Sequence, residues 1–107
     1  MAVCASSRSE IIIKGGEFAN QAPVGSALSL IYAEDNAKIT IEGGTFKCVS
    51  PAWTLNCNDS DPATITVKGG SFYKFDPSNV TVGEGEIFIA DGYKVVQNGD
   101  WYNVVPE

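Results

Sequence analysis

Four acidic side chains come nearest to a reactive site in this chain: Glu34 with Asp35, and Asp59 with Asp61. Each pair follows a strand-like segment, so stacking of those segments would bring the two pairs together. Paired carboxylates can cleave glycosidic bonds, and clustered carboxylate oxygens can bind calcium. Aspartate is also an ordinary turn residue, and the nearest cation, Lys38, only flanks the first pair. We therefore expect solvated turns, with a weak calcium site and a polysaccharide-cleaving centre as less favoured alternatives.

Aromatic side chains offer a second kind of chemistry, since they can stack on sugar rings. Trp53, Tyr73, Trp101 and Tyr102 are the candidates. Trp53 is expected in the core, because it takes the place of a leucine in the repeat described below. Trp101 and Tyr102 are consecutive in a predicted strand, so one should point inward and the other outward, and the outward one is the better contact residue. The candidate interaction surface comprises Trp101, Tyr102, Asp59 and Asp61.

The three cysteines, Cys4, Cys48 and Cys57, show no CxxC spacing, and the chain has no histidine to complete a zinc site. We expect small buried or half-buried thiols that act as apolar side chains. One disulfide with one unpaired thiol is a less favoured alternative. A catalytic cysteine is disfavoured because the usual histidine base is missing. We assign no catalytic residue, no metal ligand and no cofactor.

Length and charge limit the classes of function. The chain has 107 residues, a formal net charge of −6 and a single arginine, Arg8. One domain is expected. The negative charge argues against partners that are nucleic acids or anionic membrane surfaces. No apolar run approaches the roughly 20 residues that span a bilayer, and residues 1–8 do not resemble a signal peptide. We expect a mature protein or a fragment of a longer one.

A repeated motif dominates the sequence. Residues 11–18 (IIIKGGEF) return as residues 39–46 (ITIEGGTF) and as residues 65–72 (ITVKGGSF). A second strand-like element precedes each copy, and its three versions align as residues 2–5, 28–32 and 53–57. One unit is too small to bury its own apolar face, so stacking of the copies is expected. The predicted columns are Ile11/Ile39/Ile65, Ile13/Ile41/Val67, Phe18/Phe46/Phe72 and, on the outer side with alternating charge, Lys14/Glu42/Lys68.

The sequence therefore predicts an all-β protein: a short right-handed parallel β-helix of three coils, with a C-terminal antiparallel β-meander as a cap. The coils cover residues 1–79 (about 1–26, 27–52 and 53–79), and residues 80–107 form a loop and the cap. Asp91-Gly92 and Asn98-Gly99 predict the hairpin turns of the meander. A sandwich or a propeller blade is the alternative architecture. The first coil has no predicted cap, and Ile12 faces outward there, so we expect an upstream segment or another subunit to cover it.

The C-terminal part of the chain resembles an ending that recurs in proteins of gut bacteria and their tailed phages. The residues that carry the resemblance are 65–72, the Phe-Asp-Pro-Ser of 75–78, the segment 90–95 and Trp101-Tyr102. The earlier copies resemble pectate-lyase-like β-helix repeats. Similar ends occur on capsid-associated and fibre-like phage proteins, many of which are trimers. The resemblance implies a location on the virion surface, or an extracellular or cell-surface location, and it implies no reaction.

Our leading hypothesis is a non-enzymatic structural or attachment module, the C-terminal domain of a phage virion protein such as a head fibre or tail fibre. The alternative is a bacterial surface or secreted adhesin module that binds carbohydrate, and a polysaccharide-cleaving β-helix enzyme is the least favoured. Expected partners are further copies of the chain, with a trimer as one form, and a surface glycan or another virion protein. We expect neither a nucleic acid nor a membrane as a partner.

Overall fold

The computed structural model describes residues 3–19, 30–48, 54–57, 63–78 and 88–107. These residues are all-β, with 55% in strands and no helix. The strands are β1 (Val3–Ala5), β2 (Glu10–Ile13), β3 (Glu17–Ala19), β4 (Ile31–Ala33), β5 (Lys38–Ile41), β6 (Thr45–Lys47), β7 (Leu55–Cys57), β8 (Thr64–Val67), β9 (Ser71–Tyr73), β10 (Tyr93–Asn98) and β11 (Trp101–Pro106). None of the described residues forms a helix long and apolar enough to cross a membrane.

Three sheets are built from the three repeats. The first sheet has the order β1-β4-β7, and the second has the order β2-β5-β8, each with parallel pairing. The third contains β3, β6 and β9 in parallel, followed by β11 and β10 in antiparallel pairing, so it is mixed. Each repeat thus gives one strand to each sheet in the same order: β1–β3 form the first repeat, β4–β6 the second and β7–β9 the third.

The predicted apolar columns are confirmed. Parallel pairing places Ile11 against Ile39 and Ile39 against Ile65, and it places Ile13, Ile41 and Val67 in the neighbouring column. Isoleucine and valine suit such positions because a β-branched side chain packs well on a pleated surface. The second and third members of both columns are buried.

The phenylalanine ladder is also confirmed. The rings of Phe18 and Phe46 stack with centroids 5.0 Å apart, and those of Phe46 and Phe72 with centroids 4.9 Å apart. This spacing follows from the separation of hydrogen-bonded strands. The Gly-Gly bends that lead into the ladder have positive φ at their second glycine: Gly16, Gly44 and Gly70.

The register of the first sheet corrects the sequence alignment. Ile31 pairs with Leu55, whereas the alignment of residues 28–32 with 53–57 placed Leu30 opposite Leu55. Both Leu30 and Ile31 are fully buried, so apolar character alone does not choose between the two registers. A shift of one residue moves every side chain of a strand to the other face. The pairing of Ile31 with Leu55 shows which of the two registers the strands adopt.

The C-terminal cap differs from the predicted meander in one turn. β10 and β11 form the antiparallel hairpin expected near Asn98-Gly99. The hairpin expected at Asp91-Gly92 is wrong, because Ile89 makes a parallel bridge with Val67. The N–H of Val67 donates to the carbonyl of Phe88 over 2.8 Å, and the N–H of Ala90 donates to the carbonyl of Val67 over 3.0 Å. This segment therefore adds to the second sheet beside β8 and does not pair with β10.

An apolar cluster joins the cap to the repeats. Phe75 packs between Phe72 and Phe88, with ring centroids 6.2 and 6.5 Å away, and all three side chains are buried. Val104 of β11 is buried against the same cluster. The cap is thus fixed to the third repeat by packing as well as by hydrogen bonds.

Candidate functional site

The outward side of the third sheet is where the cap brings aromatic and polar side chains together. Side chains alternate along a strand, so the inward phenylalanine ladder leaves its sequence neighbours pointing outward. β11 continues this alternation, because Tyr102 lies opposite Phe72 while Trp101 lies opposite Tyr73. We call the following set the outer face: Glu17, Thr45, Lys47, Ser71, Tyr73, Asn98, Trp101 and Asn103.

Two aromatic rings form the centre of the outer face. Trp101 and Tyr73 meet edge to face, with centroids 5.3 Å apart and an interplanar angle of 63°. The ammonium groups of Lys47 and Lys74 lie 4.6 and 5.4 Å from the centroid of the Tyr73 ring. A cation near an aromatic face is attracted by the ring quadrupole. Two cations therefore lie close to the Tyr73 ring, which in turn packs against Trp101.

Polar groups are arranged beside these rings. The hydroxyl of Ser71 donates to the side-chain oxygen of Asn103 over 2.6 Å. This hydrogen bond fixes the orientation of the Asn103 amide on the outer face. Thr45 lies next to Ser71 in the same column, because the two residues are paired in register. Hydroxyl and amide groups thus form a short row next to the aromatic pair.

Two shallow grooves run along the outer face and share one wall. One has a volume of about 500 Å³ and is lined by Thr45, Ser71, Asn98, Trp101 and Asn103. The other has a volume of about 550 Å³, and its lining includes Glu17, Lys47, Thr45 and Trp101. Both volumes fall within the range of small-molecule sites. Thr45 and Trp101 line both grooves, so the half-buried indole can contribute to a contact in either one.

The arrangement suits recognition of a sugar. An indole presents a broad apolar surface that can cover the C–H face of a pyranose ring, while amide, hydroxyl and ammonium groups can bond to ring hydroxyls. One aromatic platform with a few oriented polar groups is the usual composition of a small-ligand site. The outer face contains both parts within one sheet.

The structure separates the two predicted aromatic contact residues. Trp101 points outward, and Tyr102 packs inward against the core opposite Phe72. The expectation that one would face each way is confirmed. The role of Trp101 as a contact residue stays a prediction. Trp53, Asp59 and Asp61 lie outside the described residues.

The described half of the predicted acidic site is a turn. The N–H of Ala37 donates to the carbonyl of Glu34 over 3.0 Å, and the two residues between them, Asp35 and Asn36, have φ of 53° and 61°. This geometry is that of a turn in which asparagine and aspartate are favoured. The N–H of Arg8 in the first repeat donates to the Asp35 carbonyl over 2.9 Å. No group of three or more metal-binding side chains occurs among the described residues.

The cysteines differ from each other in exposure. Cys48 is 2% exposed, as expected for a thiol that acts as an apolar side chain. Cys4 is exposed, which corrects that expectation. Its side chain points away from the core, whereas the next residue of β1, Ala5, is buried. The backbone of Cys57 belongs to β7.

Several residues of the outer face were not singled out in the sequence. Thr45 and Ser71 follow the Gly-Gly pairs, and Lys47 and Tyr73 follow the phenylalanines, so period-2 alternation already placed them outward. What the sequence did not supply was the pairing of β11 with β9, which brings Trp101 beside them.

Comparisons of the chain with protein-family models, curated proteins and solved structures find no match. The function is therefore inferred from the geometry of the described residues, together with the resemblance noted in the sequence.

Proposed function

We propose that this chain is a non-enzymatic structural and attachment module that binds a surface glycan through the outer face. The observation that carries the proposal is the placement of Trp101: it lies edge to face with Tyr73 and lines two grooves that also contain polar side chains. The resemblance of the C-terminal part to endings of gut phage proteins supports a place at the C-terminus of a virion head fibre or tail fibre.

The same proposal includes a finer architecture. Residues 1–79 form a short right-handed parallel β-helix of three coils, and residues 80–107 cap it. Support comes from the order in which each repeat contributes one strand to each of the three sheets, and from the in-register columns of isoleucine and phenylalanine. A stack of this kind makes a rigid rod, since each repeat is hydrogen-bonded to its neighbours along its strands.

Binding on such a rod is mechanical attachment. One sugar ring would stack on Trp101 while its hydroxyls bond to the row formed by Thr45, Ser71 and Asn103, with Lys47 available in the second groove. A single shallow site of this kind binds weakly. An assembly of several copies would present several outer faces, and multivalent binding can raise the avidity by about 10²–10⁴-fold.

A bacterial surface or secreted adhesin is the second candidate, and the outer face favours it equally. Both candidates use the same contact residues, so the binding experiment below tests the glycan site for either. Binding of purified virions to the glycan-bearing cells would favour the phage protein.

A glycan array probed with the whole chain tests the site. Trp101→Ala is expected to lower binding at least about tenfold, as expected for an aromatic residue at the centre of a contact. Val96→Ala is the matched control: Val96 lies on the same hairpin, is 46% exposed and is not among the residues that line the two grooves. Absence of binding to any glycan, or equal binding by Trp101→Ala and Val96→Ala, would overturn the proposal.

The non-enzymatic part of the proposal has its own test. The chain is incubated with uronate-containing and neutral polysaccharides, and release of reducing or unsaturated ends is followed. No turnover is expected. Turnover that disappears in Asp59→Asn or Asp61→Asn would overturn this part of the proposal and establish the polysaccharide-cleaving enzyme.

A further inference from the structure

The exposed edge of the second sheet is formed by β2. Within the described residues β2 pairs only with β5, so its other side is the edge of the sheet. Ile12 is 49% exposed on this strand, where the corresponding positions of the other repeats carry threonine. Glu10 and Lys14 stand two residues before and two residues after it, and both are exposed.

The backbone of this edge is aimed away from the rest of the molecule. In the second repeat, the N–H groups of Lys38 and Glu42 donate to carbonyl oxygens of the first repeat over 2.8 and 2.7 Å. The residues at the matching positions of the first repeat are Glu10 and Lys14. By the period of two, Ile12 between them has the same orientation. The N–H and C=O groups of all three residues therefore point to the open edge.

The core is less covered at this end. Ile11 and Phe18 are half-buried, whereas the residues beneath them in the same columns, Ile39 and Phe46, are 1% and 0% exposed. A Cβ atom built at Gly15 meets nothing within 4 Å. An unpaired strand edge next to incompletely buried apolar side chains is a site for pairing with another chain.

The sequence of the edge is complementary to itself. In residues 10–14, Glu10 and Lys14 carry opposite charges and lie at equal distances from Ile12. If a second copy pairs antiparallel about a two-fold axis at Ile12, Ile12 meets the partner's Ile12, and Glu10 meets the partner's Lys14. All three residues present both backbone groups to the edge, so each becomes a hydrogen-bonded pair of an antiparallel ladder. A parallel arrangement would not place opposite charges in contact.

The other end of the molecule limits the assembly to two copies. There, the backbone of Val67 in β8 already pairs with the segment 88–90, and β9 already pairs with β11. Head-to-tail stacking would need both ends to be open. A head-to-head contact uses the same patch on both subunits, and such a contact closes at two copies.

We propose that the edge of β2 is a self-association site, through which two copies of this chain form a head-to-head dimer with antiparallel β2 strands. The partner is a second copy of the chain, and its recognition rests on the reciprocal contacts of Glu10 with the partner's Lys14. This inference is independent of glycan binding by the outer face, which lies on a different sheet.

Charge reversal tests the proposal, with the molar mass measured by light scattering over a range of protein concentrations. The unchanged chain is expected to dimerise. Glu10→Lys and Lys14→Glu each replace two attractive cross-strand pairs by two repulsive ones, and each is expected to raise the Kd of the dimer at least about tenfold. The double variant Glu10→Lys with Lys14→Glu restores opposite charges and is expected to dimerise again. Lys94→Glu, an exposed charge on β10, is the control and should leave the dimer unchanged.

The double variant separates association from folding. Within one chain Glu10 lies over Lys38, and Lys14 lies beside Glu42. Each single variant therefore also weakens a contact inside the chain, and the double variant weakens both. Urea unfolding at a protein concentration low enough to keep every variant monomeric should show the double variant as the least stable, even though its dimer returns at higher concentration.

Three results would overturn the proposal. One is a chain that stays monomeric at the highest concentration tested, as expected if a further repeat of a longer protein covers this edge. Another is a trimer whose mass is insensitive to either reversal. The third is a double variant that stays monomeric while remaining folded.

Discussion

A matched set of glycine substitutions tests the stacking of the repeats most directly. The first glycine of each Gly-Gly pair occupies the same place in each repeat: Gly15, Gly43 and Gly69. A Cβ atom added at Gly43 would lie 2.6 Å from the carbonyl oxygen of Lys14 in the repeat before it, and one added at Gly69 would meet the carbonyl oxygen of Glu42 even more closely. At Gly15 the same atom meets nothing within 4 Å.

The loss of stability expected for Gly43→Ala and Gly69→Ala depends on which atoms must move to make room for the added methyl group. The obstructing atoms belong to the backbone, so no side-chain rotation relieves the contact. Overpacking of this kind costs about 1–3 kcal/mol. The neighbouring hydrogen bond, from the N–H of Glu42 to the carbonyl of Ile13, is 2.7 Å long, and its disruption adds about 0.5–1.5 kcal/mol. We expect Gly43→Ala and Gly69→Ala to lower the free energy of unfolding by about 2–4 kcal/mol each.

Gly15→Ala provides the control. Its added methyl group points into open space, and Gly15 does not have positive φ. Replacement of glycine by alanine also reduces the conformational entropy of the unfolded chain, which stabilises a protein by about 0.4–1 kcal/mol where the backbone permits it. Urea unfolding followed by circular dichroism measures all three variants under the same conditions. Equal free energies for Gly15→Ala and Gly43→Ala would show that the repeats do not stack in the register described.

Three further predictions concern the stability of the fold. Phe46→Ala should lower the free energy of unfolding by about 3–5 kcal/mol, and by more than Phe18→Ala does. Phe46 is buried between two stacked rings, while Phe18 is half-buried and stacks on one. Equal losses of stability in the two variants would contradict the ladder. Arg8→Gly should raise the melting temperature by about 4 °C or more in scanning calorimetry. Arg8 has φ of 62°, and glycine at this position relieves about 1 kcal/mol of backbone strain. In a small domain a gain of that size shifts the melting temperature by about 4 °C or more. Tyr102→Ala should destabilise the fold more than Trp101→Ala, because Tyr102 faces the core; the reverse order would contradict the orientation of β11.

The sequence predicts the second and third sheets well because their repeats carry redundant information. In residues 39–46 and 65–72, alternation of apolar and polar residues, the glycine pair and the phenylalanine all specify the same register, and in residues 11–18 the glycine pair and the phenylalanine specify it. A slip of one residue would expose the isoleucine columns and break the phenylalanine ladder at once. The pairing seen in these sheets is the one that satisfies all of these constraints.

The first sheet and the cap were less predictable, for two different physical reasons. Leu30 and Ile31 are both fully buried, so local pattern left two registers open. At Asp91-Gly92 the local turn signal was read as a hairpin, but the open edge of β8 is a competing partner for the segment before it. The bridge between Val67 and Ile89 is a contact distant in sequence, and no local signal encodes it.

The candidate site follows from the way in which the repeat ends. Within the repeats, the inward columns hold residues of similar kind, whereas an outward column can change from repeat to repeat, as Glu17, Thr45 and Ser71 do. β11 joins the third sheet in the antiparallel direction and is not a copy of the repeat, so it can place a tryptophan beside Tyr73. Tyr73 is the aromatic member of its column, and the other members are Ala19 and Lys47. The inward side of β11 must still match the core, and Tyr102 and Val104 do so. The same pairing therefore covers the last repeat and, because side chains alternate, creates the aromatic pair on the outside. A change that shifted β11 by one residue would exchange Trp101 and Tyr102 and would abolish the cap and the proposed glycan site together.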